Sequence, residues 1–68
     1  MNREQIPRGL SNGDETIIRR AGRSQGDKLV AKIGEGYKIV RQDAVGDVLI
    51  HKGYSFFWVT TSGSCIPT

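Results

Sequence analysis

A chain of 68 residues has room for one small domain, at a size where folding buries only about 60% of the unfolded surface. One cysteine and one histidine exclude an intrachain disulfide and a structural zinc site, which takes about four such ligands. The formal net charge of +3 is a mild basic excess and points toward polyanionic partners. No stretch approaches the roughly 20 apolar residues of a membrane helix. With no apolar leader behind Met1 and a lone thiol at Cys65, the expected location is the cytoplasm. A core this small rarely supplies more than about 3–5 kcal/mol by itself, so good packing or a homodimer or higher homo-oligomer is expected to make up the rest.

Residues 1–13 are polar and broken by Pro7, Gly9 and Gly13, which predicts a flexible N-terminal arm. Residues 14–61 then form the single domain, and 62–68 read as a C-terminal tail. Glu15 to Ala21 favours a strand through Thr16, Ile17 and Ile18. The alternative is a short helix capped by Ser11 or Asn12, with Asp14 and Glu15 in its first turn, Arg19 and Arg20 in its last, and Gly22 ending it. Lys28 to Ile33 alternates, with Leu29, Ala31 and Ile33 on one side and Lys28 and Lys32 on the other, as a half-buried strand does. Gly34-Glu35-Gly36 reads as a tight hairpin turn and Tyr37 to Gln42 as the returning strand. Asp43 to Gly46 is a polar connection, with Asp43 and Asp47 placed for local hydrogen bonding. Asp47 to His51 and Tyr54 to Thr61 are the last two strands. The expected fold is therefore mostly β, a small antiparallel barrel or strongly bent sheet of four to five strands with a possible short N-terminal helix.

Four of the five aromatic residues lie in Tyr54-Ser55-Phe56-Phe57-Trp58. With Lys52-Gly53 as a two-residue loop, His51 faces Tyr54, Leu49 faces Phe56 and Asp47 faces Trp58 on one side of the hairpin. Val48, Ile50, Phe57 and Val59 share the other side, which reads as core. Lysine is a poor first residue for a primed turn, and a one-residue slip in pairing would exchange the two sides.

Chemistry has little to work with. His51 is the single imidazole, Cys65 lies in the segment read as a tail, and no catalytic residue, metal or cofactor is expected. Gly22 to Lys28 has glycines and a lysine but not the spacing of a phosphate loop, and a strand is expected after it where such a loop needs a helix. What remains is a β face with rings and nearby cations. Its expected partner is nucleic acid, RNA or single-stranded, with Tyr37, Tyr54, Phe56 and Trp58 stacking beside His51 and with Arg19, Arg20, Arg23, Lys28 and Lys38 on phosphates. The second expectation uses the same residues differently: a small regulator or inhibitor that docks on a larger protein, for which Tyr, Trp and Arg are frequent anchors.

Overall fold

The computed structural model describes residues 10–68. The expected arm over residues 1–13 therefore lies, for residues 1–9, outside those described. From residue 10 onward the chain belongs to the domain, because Leu10 packs against the core.

Both segments where strands were favoured before Tyr37 are helices. In α1 (Asn12–Arg20) the Ser11 hydroxyl accepts the Asp14 N–H at 3.1 Å, a cap that contributes about 1 kcal/mol. Acidic residues stand in its first turn and basic ones in its last, the order that suits the helix dipole. The weak strand propensity of Thr16, Ile17 and Ile18 is outweighed by these caps and by burial of Ile18 in the core.

The second helix, α2 (Arg23–Gly34), follows after Ala21 and Gly22. It buries Gln25, Gly26, Leu29 and Val30, a 3.6-residue stripe. Leu29 and Ile33 are four apart and share a side under either period. Val30 and Ala31 decide between them: Val30 is buried and Ala31 exposed, the reverse of what an alternating strand requires. Gly34-Glu35-Gly36 is accordingly no hairpin. Gly36 N–H donates to Ile33 O and Tyr37 N–H to Lys32 O, both at 3.0 Å, the paired bonds of a Schellman ending.

The remaining strands are β1 (Lys38–Gln42), β2 (Val48–Lys52), β3 (Ser55–Val59) and β4 (Cys65–Pro67). They pair antiparallel in the order β1-β2-β3-β4. The sheet is open, so the barrel is not formed. Among the described residues a mixed fold of two helices and one sheet replaces the mostly β expectation. The segment read as a tail supplies β4, with Pro67 in an edge strand, where its missing N–H can be tolerated.

The turn between β2 and β3 is Gly53-Tyr54, one residue later than expected, with Lys52 opposite Ser55. Gly53 has φ +60° and no described non-glycine residue has positive φ, the pattern of a II′ turn with glycine in its first central position. Moving a turn by one residue changes the pairing by two. Leu49, His51, Phe56 and Trp58 therefore still share one face, with Val48, Ile50, Phe57 and Val59 on the other.

The helices cover that second face. Ile18, Ala21, Leu29, Val30, Val48, Ile50 and Val59 form the buried core, each fully buried large side chain contributing about 1.5–3 kcal/mol. Gln25 is the one buried polar residue among those described; its Nε2 donates to Gly46 O at 2.8 Å and Val59 O at 3.1 Å. Asp43 Oδ1 accepts the N–H groups of Val45 and Asp47, which closes the β1–β2 turn through the local bonds expected there.

Candidate functional site

The face of the sheet turned away from the helices is built in two rows. One runs Arg41, Leu49, Trp58, Ile66 across β1 to β4. The other runs Lys38, His51, Phe56 across β1 to β3, and the Thr68 N–H continues it by donating to Phe56 O at 3.2 Å.

Arg41 reaches this face through a β-bulge. In a regular strand residues 39 and 41 would point the same way, and Ile39 pairs with Ile50 on the core side. The register shifts between Ile39 and Arg41, leaving Val40 as the extra residue, and the alternation resumes with Arg41 opposite Leu49. Bulges re-aim side chains in this way. The Arg41 guanidinium carbon lies 5.2 Å from the Trp58 ring centroid, within cation–π range. In the neighbouring row His51 stacks on Phe56, with centroids 5.3 Å apart and planes 19° from parallel.

The face combines apolar and cationic surface. Ile66 is 51% exposed and Phe56 39%. Lys38 and Arg41 are exposed, and Leu49, His51 and Trp58 half-buried. Together the four strands carry Lys38, Arg41, His51 and Lys52 and not one carboxylate. Lys52 turns to the other side, where its Nζ donates to Glu35 O at 2.8 Å.

Of the residues singled out from sequence, Lys38, His51, Phe56 and Trp58 meet on this face. Tyr54 is in the β2–β3 turn, fully exposed. Tyr37 lies on the helix side: its ring meets Phe57 edge-on at 5.9 Å, with the Nζ atoms of Lys32 and Lys52 at 5.3 Å and 5.9 Å from its centroid. Packing there takes it away from the other rings. Arg19, Arg20, Arg23 and Lys28 belong to the helix layer. Arg19 pairs with Glu15 at 2.7 Å and Arg23 approaches Asp27 at 4.0 Å.

Arg41 was not singled out from the sequence; strict alternation puts it on the side of Tyr37 and Ile39, which in the structure faces the helices. A charged residue at a nominally inward position was the available signal for a bulge.

Among the described residues no group of three or more His, Cys, Asp or Glu could hold a metal ion, and no helix is long and apolar enough to cross a membrane. Comparison of the chain with protein-family models, with curated proteins and with solved structures finds no match.

Proposed function

We propose that this protein binds single-stranded nucleic acid on the open face of its sheet and performs no chemistry on it. The observation that carries the reading is the composition of that face: two permanent cations on β1 and two rings on β3, with Leu49 and His51 of β2 between them and no carboxylate in any strand. A base of any sequence can stack on an aromatic ring for about 1–3 kcal/mol while cations hold the phosphates. Trp58 and Phe56 are the stacking rings, with His51 beside Phe56; Arg41 and Lys38 are the phosphate contacts. The lone thiol of Cys65 suits a reducing compartment, and the cytoplasm is the proposed location.

The same face has exposed apolar area at Ile66 and Phe56, the kind of surface that also meets proteins. Titration with labelled oligonucleotides at increasing salt separates the two. Two phosphate contacts predict that log K falls against log salt with a slope of about −1.4, and that Trp58→Ala weakens binding by about tenfold or more. Absence of binding at low salt, or binding indifferent to salt and to Trp58→Ala, overturns the proposal. Capture of one protein that survives nuclease would then favour the regulator, and a concentration-dependent dimer that masks Trp58 would favour self-association.

A further inference from the structure

Resting on the nucleic-acid reading, we propose that the face is a tandem pair of nucleotide subsites, one per row, with the phosphates following β1 and the bases lying over β3. The two rows repeat one order. Each begins with a permanent cation on β1, Arg41 or Lys38, passes a β2 residue, Leu49 or His51, and reaches a ring on β3, Trp58 or Phe56. The bulge at Val40 is what makes them match, since it puts Arg41 on the same side as Lys38.

The spacing of the rows selects the form of the ligand. Phe56 and Trp58 are two residues apart in one strand, so their rows are about 6.8 Å apart at the 3.4 Å rise of an antiparallel strand. Stacked bases along one nucleic-acid strand are about 3.4 Å apart. Two neighbouring bases cannot stay stacked on each other while each lies on its own ring. The ligand is therefore a splayed single strand, its bases separated and its backbone running beside them, as sequence-tolerant sheet binders require. A duplex, whose bases are stacked inside, does not fit.

Arg41 changes partner in this scheme. Without ligand its guanidinium covers the Trp58 indole. An exposed cation–π contact is weaker than base stacking, so the arriving base takes the indole and Arg41 turns to the phosphate beside it. Lys38 serves the phosphate of the second nucleotide.

The test is a length series of 5′-phosphorylated thymidylate oligomers, one to six nucleotides, read by the fluorescence of Trp58, the only tryptophan. Going from one to two nucleotides should tighten binding by about tenfold or more. Each later nucleotide should add less than about threefold, the share of a loosely held phosphate. Phe56→Ala should remove the step at the second nucleotide and leave the mononucleotide's effect on Trp58 unchanged. Phe56→Leu, which keeps bulk without a stacking face, should do the same, with circular dichroism establishing that both variants fold. Even increments along the series, or a Phe56→Ala loss equal for one and two nucleotides, overturn the tandem subsites while leaving the nucleic-acid reading in place. Failure of every oligomer to bind, or equally tight binding of a sulfated polysaccharide, overturns both.

Discussion

Gln25 on α2 donates its side-chain amide to the carbonyl of Val59 at the end of β3, 34 residues away in the chain, at 3.1 Å. The same nitrogen reaches Gly46 O in the β1–β2 turn. One buried side chain thus ties the helix layer to two strand ends and holds the strand that carries Phe56 and Trp58. Gln25→Ala is expected to cost about 1–3 kcal/mol, the usual penalty for stranding buried polar groups. Gln25→Glu should cost more, because a carboxylate accepts only and would face two carbonyl oxygens. Urea denaturation of the two variants gives the order; equal stability to the parent would show that the tie contributes nothing.

Two glycines separate conformational strain from steric contact. A methyl group on Gly63, at φ +89°, would lie 2.9 Å from Ser24 O, where the β3–β4 turn presses on the first turn of α2. Gly63→Ala should therefore lose about 1–3 kcal/mol from the backbone alone, and more from the clash. Gly53 has φ +60° with open space around it, so Gly53→Asn should lose the backbone contribution alone, about 1–3 kcal/mol, and stay above Gly63→Ala. Thermal melts that place Gly53→Asn below Gly63→Ala would contradict this packing.

Gly34 discriminates between a helix and a hairpin by the sign of one substitution. It ends α2, is exposed, and has nothing near its missing Cβ. Gly34→Ala should stabilise the protein by up to about 1 kcal/mol through helix propensity. In a tight strand-to-strand turn the same change would destabilise. A lowered melting temperature would count against α2 extending this far.

The salt dependence of oligonucleotide binding should divide the cations by layer. Lys38→Gln and Arg41→Gln should each flatten the slope by about 0.7 and weaken binding at low salt. Arg20→Gln and Arg23→Gln, on the helix layer, should leave the slope unchanged. If the helix variants flatten it and the sheet variants do not, the interface lies on the other side of the molecule.

Legibility in the sequence followed the range of the interactions involved. The β2–β3 hairpin, its two faces and the Asp43 turn could be read directly, because pairing across a short turn involves neighbours and a period of two residues. The misplaced loop left the faces intact, since a turn that moves by one residue preserves parity. α2 could not be read, because Leu29 and Ile33 fit both periods and only packing against Val48, Ile50 and Val59 decides that Val30 faces inward and Ala31 outward.

On its own, the sequence determined that the rings at Phe56 and Trp58 share a face with Leu49 and His51, and that Val48, Ile50, Phe57 and Val59 oppose them. Tertiary structure decided which of those faces stays open. Two amphipathic helices cover the aliphatic one, the bulge at Val40 brings Arg41 to the other, and packing against Phe57 removes Tyr37 from it. The reason is physical: alternation divides a strand into two sides, but which side is buried depends on where the helices find enough apolar surface to pack.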